Sequence, residues 1–463
     1  MHKVTALYFL ISLLFITSFR GYAQSPVREK PNIVFILADD LGWKDIGFQG
    51  NEVYETPNLD RLASEGLVFT QAYMMPTCSP SRASLMSGMY PPSTGIYTVD
   101  AFAGTPEHMK KLETIKSAKV LDSGITTIAE MLKPEGYQNA TIGKWHLGKD
   151  PLTQGFDYNI GGSLIGSPAS YFYPYKGKNN SSHDVDIAGG TEGEYLTERL
   201  ANEAVRMIEK MKDKPFFLYL PFYSVHVPLQ AREDKITYFS KKITQKQFNP
   251  IYAAMISSLD EAVGKVIKAV EENGLAENTM IIFVSDNGGQ KICTSNEPLR
   301  GQKGNIYEGG IRVPMVVKFP GVTPKSGTCE VPVTVVDFFP TIAELAHSQK
   351  HFERLDGLSL VPLLKGKKSK AINDRAIFWH LPGYNGNGKA NANIWQSPCS
   401  AIRQGDWKLI EFFEDGHLEL YNLKDDISET TNLVTAYPSI SQKLLKKLKN
   451  WQETSNAPIP NRK

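Results

Sequence analysis

The chain has 463 residues, with 51 lysines and arginines against 49 aspartates and glutamates. A chain this long exceeds one ordinary domain, so we expect one large domain and one smaller one. The nearly balanced charge excludes a strong field that would hold nucleic acid or an acidic membrane surface. Its four cysteines are too few for a disulfide scaffold in a chain of this length.

The chain begins with the pattern of a signal peptide. Lys3 supplies a positive start, residues 4–17 are almost all apolar, and small residues lead to a cleavage position after Ala23. The apolar stretch is shorter than the roughly 20 residues that span a bilayer, and no later run replaces it. Removal of residues 1–23 takes away two of the 51 basic residues and no acid, which leaves a neutral chain. We therefore predict an exported protein, periplasmic or secreted, without a membrane span or a nucleic-acid partner.

Three unbroken apolar runs predict buried strands. They are "NIVFILADD" at 32–40, "PFFLYLPF" at 215–222 and "MIIFVSDNGG" at 280–289. Continuous apolarity is typical of strands covered on both faces, as in a parallel sheet between helix layers. Amphipathic helices are predicted at 197–211 and 251–272, and this alternation of strands and helices predicts a doubly wound α/β fold.

The composition changes after residue 364. We predict a catalytic domain at 24–364 and a small α+β subdomain at 365–463. Residues 402–423 contain two strand-like runs joined by "EDGH", a strong hairpin signal. A final helix at 439–454 is expected to pack on that antiparallel sheet. Its apolar face consists of Leu444, Leu445, Leu448 and Trp451.

Acids and an amide follow two of the predicted strands. Asp39 and Asp40 end the first strand, and Asp286 and Asn287 end the strand that begins at Met280. Open α/β sheets bind ligands at the carboxyl ends of their strands. Oxygen ligands suit Ca²⁺ or Mg²⁺, and the absence of paired histidines argues against zinc. Either pair alone fits a solvated turn with a helix cap, whereas the two together favour a site for a divalent cation.

The stretch "TCSPSRASLMSGMY" predicts a helix with a cysteine at its start. Pro80 suits the first turn, and Gly88 can end the helix. Cys78 then lies at the positive end of the helix, and Arg82 follows one turn later, which favours an anion site. From these residues alone, a buried cysteine in a helix cap is an equally good interpretation.

"CSPSRASLMSG" resembles the modification sequence of the formylglycine-dependent, type I sulfatases at every constrained position. Other blocks similar to that family follow in the family's order, so the resemblance runs from about residue 31 to 435. They are "PNIVFILADDLGW", "GKWHLG", "HVP", "SDNGG" and "GQKGNIYEGGIRVP". The resemblance implies an alkaline-phosphatase-like fold with a large mixed sheet between helix layers, and hydrolysis of a sulfate ester to alcohol and inorganic sulfate.

The resemblance also implies that Cys78 is oxidised to Cα-formylglycine by a formylglycine-generating or sulfatase-maturating enzyme. The hydrated aldehyde would be the nucleophile. It further implies Ca²⁺, with Mg²⁺ as the weaker choice. The implied ligands are Asp39, Asp40, Asp286, Asn287 and the modified Cys78.

Further roles carry over from the resemblance. Arg82 would steady the formylglycine hydrate, Lys144 would bind the sulfate or the hydrate, and His146 would be the base. His226 and Lys303 would face the sulfate, with His226 as the acid. Because Lys144 and His146 lie two apart after a strand-like segment, we expect them on one face. Each of these residues taken singly also fits a solvated lysine or a hydrogen-bonded structural histidine.

Substrate choice is expected to come from three loops, at 99–112, 163–180 and 378–395. The third is rich in tryptophan, histidine and amide groups, which suit a sulfated carbohydrate, and it also fits a solvated linker. The predicted sugar contacts in it are His380, Tyr384 and Asn385. Two other functions stay open: a phosphodiester or phosphonate ester hydrolase of the same fold, and a sulfated-glycan-binding protein without catalysis.

Overall fold

The structure is a computed structural model, and it describes residues 30–99, 104–177, 181–245, 247–349, 352, 354–387 and 393–463. The predicted signal peptide lies outside these residues. Within these ranges no helix is both long and apolar enough to cross a membrane.

The strands follow one another in chain order as β1 (Asn32–Ala38), β2 (Leu67–Tyr73), β3 (Gln138–Ile142), β4 (Tyr158–Ile160), β5 (Phe216–Pro221), β6 (Thr279–Ser285), β7 (Arg312–Lys318), β8 (Gly327–Cys329), β9 (Val333–Thr334), β10 (Ala376–Leu381), β11 (Asn385–Asn387), β12 (Asn393–Gln396), β13 (Cys399–Gln404), β14 (Trp407–Phe412) and β15 (Leu418–Asn422).

The α-helices are α1 (Pro57–Glu65), α2 (Cys78–Ser87), α3 (Pro91–Thr94), α4 (Ile128–Leu132), α5 (Leu196–Met211), α6 (Glu233–Lys242), α7 (Pro250–Glu272), α8 (Glu308–Ile311), α9 (Phe338–Leu345), α10 (Val361–Leu364), α11 (Lys370–Asp374) and α12 (Pro438–Thr454). Short 3-10 helices occur at Gly47–Gln49, Glu107–Met109, Lys133–Glu135, Pro151–Gln154, Ala276–Asn278 and Val335–Asp337.

The central sheet has the strand order β4-β3-β5-β1-β6-β7-β2-β8, with β9 beside β2. The three strands predicted from apolar runs, β5, β1 and β6, are parallel neighbours at its centre. β7 runs antiparallel to both β6 and β2, so the sheet is mixed. The α/β prediction is therefore confirmed.

Helices cover both faces of this sheet. Phe35 and Leu37 of β1 face one apolar core, which includes α2, α4 and α9. Val34 and Ile36 face the other, which includes α5 and α7. The alternate residues of a strand point to opposite faces, so one apolar run serves two cores.

The predicted C-terminal sheet is also present, with one correction. It is antiparallel, in the order β10-β13-β14-β15, and Leu444, Leu448 and Trp451 of α12 are buried against it. The first of the two runs expected at 402–423 is split into β13 and β14 by a turn at Gly405, whose φ of 58° is accessible to glycine. The division at residue 364 stays a prediction.

Candidate active site

The carboxyl ends of β1 and β6 lie side by side, because Ala38 pairs with Ser285 in parallel register. Asp39 and Asp40 therefore emerge at the same edge as Asp286 and Asn287, and all four side chains are buried. The Asn287 Nδ2 donates a hydrogen bond to Asp40 Oδ1 at 2.8 Å. The structure thus brings the two polar pairs together.

The carboxyl end of β5 joins this edge. The Asp39 amide donates to the Ser224 carbonyl at 2.9 Å, and the Val225 amide donates to the Asp39 carbonyl at 2.7 Å. This pairing brings the next residue, His226, beside the acids. Its Nε2 lies 3.5 Å from Asp40 Oδ2.

Helix α2 begins at Cys78 and ends at Gly88, which has a φ of 69°. The Cys78 Sγ lies 3.6 Å from Asp39 Oδ1. Candidate ligand atoms of Asp39, Asp40, Cys78 and His226 all lie within 4.8 Å of one another. The cysteine is therefore part of the acidic cluster as well as the start of a helix.

Arg82 lies one turn along α2 and is fully buried. Its Nε and Nη2 donate to Asp286 Oδ2 at 3.1 and 2.7 Å, and its Nη1 donates to the Lys144 carbonyl at 2.6 Å. Its hydrogen bonds therefore hold Asp286 and the Lys144 backbone, and none of them goes to Cys78.

Two lysines neutralise the consecutive aspartates. The Lys144 Nζ lies 2.7 Å from Asp39 Oδ2, and the Lys303 Nζ lies 2.8 Å from the Asp40 carboxylate. Burial raises the pKa of Asp39 to about 7, against the opposing effect of Lys144. Burial would raise the pKa of Asp40 too, but Lys303 and then His226 hold it below its usual range. Burial, followed by the charge of Lys303, lowers the pKa of His226 to about 3.

His146 lies in the segment that follows β3, and its φ is 59°. Its amide donates to the Ser163 carbonyl at 2.8 Å, and its ring packs against Gly166. Burial, followed by Lys144, lowers the pKa of His146 well below the usual value. The expectation that Lys144 and His146 share a face was based on strand geometry, and that reason is wrong, because β3 ends at Ile142.

The residues at this edge fit a hard cation. The Oδ1 of Asn287 is buried and has no hydrogen-bond partner among the residues that the structure describes. The same amide contacts Asp40 through Nδ2, and Asp39 and Asp286 lie at the same edge of the sheet. Such a set of oxygen ligands suits Ca²⁺. A bound cation would satisfy the orphaned amide oxygen and reduce the repulsion between the acids.

A cavity of about 680 Å³ opens above Cys78. It is lined by Cys78, Ser79, Thr98, Val99, Ala118, Lys119, His146, Leu164, Ile165, Gly166, Ser167, Ser182, His183, His226, Val227, Gln290 and Lys303. Two of the predicted loops, 99–112 and 163–180, contribute to this lining. No acid lines the cavity in the described part of the chain, so its wall is suited to an anion. A larger cleft of about 1300 Å³, on the far side of segment 291–302, contains none of the candidate catalytic residues.

Several lining residues lie outside the sites predicted from the sequence. Lys119 and His183 stand at the cavity, and no local pattern marks either of them. Gln290 could have been found, because it directly follows the "SDNGG" block.

The described residues of the third predicted loop, 378–387 and 393–395, do not line the cavity. His380 is buried, and its ring nitrogens lie 2.7 Å from Ser400 Oγ and 3.1 Å from the Pro458 carbonyl. The Tyr384 hydroxyl donates to Glu414 Oε1 at 2.7 Å. The Tyr384 hydroxyl also accepts hydrogen bonds from the amides of Lys111 and Leu112 at 3.0 and 3.1 Å, so both side chains are engaged by the protein.

Asn385 is the third predicted sugar contact, and it lies behind the cavity wall. Its Oδ1 accepts a hydrogen bond from Thr98 Oγ1 at 2.8 Å, and its Nδ2 donates to the Gly304 carbonyl at 2.7 Å. It is completely buried, and these two partners are the lining residue Thr98 and Gly304, which follows the lining residue Lys303.

The family model described as Sulfatase matches residues 31–348. The chain belongs to the sulfatase family. A second family model, N-sulphoglucosamine sulphohydrolase, C-terminal, matches residues 302–454 of this sulfatase. The protein is therefore a sulfuric ester hydrolase, as the motif resemblance implied.

Curated relatives agree over most of the chain. A sulfatase of Formosa agariphila is 34% identical, covering 98% of this chain and 94% of its own. The human N-acetylgalactosamine-6-sulfatase is 32% identical, covering 83% of this sulfatase and 76% of its own chain.

Solved structures share the fold. Ps i-CgsB in complex with k-i-k-neocarrahexaose has a TM-score of 0.75 and 32% identity, covering 91% of this sulfatase and 93% of that chain. BT4656, solved with D-glucosamine-2-N,6-O-disulfate, has a TM-score of 0.73 at 21% identity, covering 93% and 99% of the two chains. The alkaline-phosphatase-like fold expected from the sequence is thereby confirmed.

Proposed function

We propose that this sulfatase hydrolyses the sulfate ester of a sulfated carbohydrate with a nucleophile derived from Cys78. The proposal rests mainly on the position of Cys78, whose Sγ lies within 4.8 Å of ligand atoms of Asp39, Asp40 and His226. Cys78 also lines a cavity whose described lining contains no acid. The carbohydrate substrates named for similar proteins support the choice of a sugar.

The modification of Cys78 to Cα-formylglycine is part of the proposal, as is the formylglycine-generating or sulfatase-maturating enzyme that it requires. The strict match of "CSPSRASLMSG" supports both. The hydrated aldehyde supplies two hydroxyls on one carbon, one to attack sulfur and one to expel sulfate when the aldehyde returns. An unmodified thiol lacks the second hydroxyl, and burial raises the pKa of Cys78 to about 12.

The proposed cation is Ca²⁺, held by Asp39, Asp40, Asp286, Asn287 and the modified Cys78. Mg²⁺ is less suitable, because it demands a stricter octahedron and usually retains several waters. When bound, Ca²⁺ would polarise the sulfate oxygens as a Lewis acid and orient the hydrate. Arg82 holds Asp286 in place through its two hydrogen bonds.

His226 is the proposed acid for the leaving oxygen. Its Nδ1 lies 2.7 Å from the Val227 carbonyl oxygen. Because a carbonyl oxygen can only accept a hydrogen bond, Nδ1 carries the hydrogen of the neutral ring. The other ring nitrogen, Nε2, faces Asp40. In the free enzyme the low pKa of His226 keeps the ring neutral. A bound sulfate would offset the charge of Lys303 and raise the pKa of His226, so the proton is expected on Nε2 in the substrate complex.

Lys144 and Lys303 are proposed to bind the sulfate. His146 is proposed to accept the proton of the second hydroxyl of the hydrate. Lys144 and Lys303 are each paired with one aspartate and stand beside Cys78. His146 lines the cavity as a neutral ring and is the proposed base for the second hydroxyl of the hydrate. Export to the periplasm or the exterior completes the proposal, supported by the sequence pattern of residues 1–23.

A panel of singly sulfated sugars, assayed beside aryl phosphate and phosphonate esters, tests the function. We expect sulfate release from at least one sugar and loss of it in Cys78→Ala, with peptide mass spectrometry detecting the aldehyde at position 78 in the parent. Sulfate release by Cys78→Ala at the parent's rate would refute the mechanism. Preference for phosphorus esters, or sugar binding without turnover, would establish one of the two alternative functions instead.

A further inference from the structure

The outer face of α12 carries a row of lysines. Lys446 and Lys447 lie three and four residues after Lys443, which places all three on one side of the helix. Asn450 continues the row by one turn. Lys443 and Lys446 are exposed, and Lys447 is half-buried.

Nearby acids do not neutralise this row. Glu453 is the only acid in α12. Lys447 Nζ donates to the neutral amide of Gln404 at 2.6 Å, and within the described ranges Lys443 and Lys446 have no ion-pair partner. Like charges at these spacings destabilise a helix, and a bound polyanion would relieve their repulsion.

An aromatic pair borders the lysines. Phe378 of β10 and Trp451 of α12 stack in parallel, with ring centroids 4.7 Å apart. With the lysines, Asn450 and Thr454 they line a surface depression of about 570 Å³. The partly exposed Phe378 offers apolar surface next to cations, and a sulfated sugar presents C–H groups next to anions.

Buried ring contacts lead from the depression toward the wall of the catalytic cavity. The Trp451 ring centroid lies 6.3 Å from that of His380, which lies 5.8 Å from that of Tyr97. Tyr97 directly precedes Thr98 of the cavity wall. Two ring contacts thus connect Trp451 of α12 with the residue that precedes the cavity wall.

We propose that this face of α12, formed by Lys443, Lys446, Lys447, Asn450 and the Phe378–Trp451 pair, is a second, non-catalytic site for a sulfated glycan chain. The ligand class rests on the proposed function, because the enzyme would meet such chains as substrates. A chain held here has a raised effective concentration at the cavity, without any new catalytic contact. The site therefore favours polymers over single sugars.

Binding of carrageenan, chondroitin sulfate and heparin to the full chain carrying Cys78→Ala tests the proposal without turnover. We expect the added triple change Lys443→Gln, Lys446→Gln, Lys447→Gln to weaken binding of at least one polymer about tenfold. Chemically desulfated polymer should not bind. The matched control removes three other exposed lysines, by Lys212→Gln, Lys214→Gln and Lys241→Gln, and should bind as the parent does.

Activity separates this proposal from the proposed function. With Cys78 intact, the triple variant should keep the parent's kcat/KM on a singly sulfated monosaccharide and lose about tenfold on the polymer. The second site would be refuted if the control variant lost as much activity on the polymer as the triple variant, or if the triple variant bound the polymer as the parent does. Binding of inorganic polyphosphate as tight as that of the sulfated polymer would refute it too. Failure of the parent to release sulfate would overturn the proposed function and leave the binding result intact.

Discussion

At the scale of single residues, Gly166 leaves the space that the His146 ring occupies. A Cβ on Gly166 would lie 2.5 Å from Cε1 and 2.6 Å from Nε2 of that ring. We expect Gly166→Ala to displace the ring and lower kcat on a sulfated sugar about 100-fold, since a displacement near 1 Å has an effect of that size. Steady-state kinetics measures this, with a thermal scan to show that the fold persists.

The matched control is Gly383→Ala, because a Cβ there would meet nothing within 4 Å. It should keep the parent's kcat. If Gly166→Ala also kept it, His146 would not be the base, or its position would not matter to the reaction.

The identities of the site residues could be predicted from the sequence, whereas several of their contacts could not. Cys78, Lys144 and Lys303 each lie in a short sequence motif of the family, and the position within the motif identifies the residue. The direction of a long side chain depends on neighbours that are far away in the chain. For this reason the hydrogen bonds from Arg82 to Asp286 and from Thr98 to Asn385 could not be predicted, and the roles of Arg82 and Asn385 toward a substrate stay predictions.

At the scale of elements, the adjoining ends of β1 and β6 concentrate negative charge at one edge of the sheet. We expect Ca²⁺ to raise the melting temperature of the purified enzyme and a chelator to lower it, because a ligand that binds only the folded state stabilises it. Asn287→Ala removes the orphaned oxygen and should reduce the Ca²⁺-dependent shift. A Ca²⁺ titration followed by differential scanning fluorimetry measures both.

Mg²⁺ at the same concentrations is the comparison, and its shift should be smaller. Asn278→Ala, in the 3-10 helix before β6, is a control amide that should leave the Ca²⁺ shift unchanged. Equal melting temperatures with Ca²⁺ and with chelator would count against a metal at this edge.

The elements themselves were predictable where one physical signal dominates. The central strands are apolar throughout because both faces are covered, and α12 shows its buried face through Leu444, Leu448 and Trp451. The signal was insufficient where the backbone departs from a regular period. The turn at Gly405 and the positive φ of His146 are such places.

At the scale of the whole molecule, one buried lysine joins the two sheets. Lys408 of β14 lies 3.0 Å from Glu308, next to β7, and 2.8 Å from Glu429. Lys408→Met would leave the buried Glu429 without its cation and Glu308 with Arg312 alone, 3.5 Å away, so we expect a loss of about 3–5 kcal/mol in the free energy of unfolding. Denaturant unfolding measures this loss.

Lys268→Met is the control for the loss of one ion pair. Lys268 and Glu272 are exposed and 3.4 Å apart, so this change should alter the free energy of unfolding by less than about 1 kcal/mol. A loss for Lys408→Met no larger than that of the control would mean that the two glutamates become protonated or hydrated without penalty.

The hydrogen bond between Thr98 and Asn385 has an evolutionary consequence. It lets a buried amide in the C-terminal part of the chain support one wall of the catalytic cavity. Drift in that part can therefore retune which sugar is accepted, while the cysteine motif and the acids stay unchanged. In a chimaera that takes its C-terminal part from another family member, the residue that supports this cavity wall comes from that member. The origin of the C-terminal part would therefore contribute to the substrate selectivity of the chimaera.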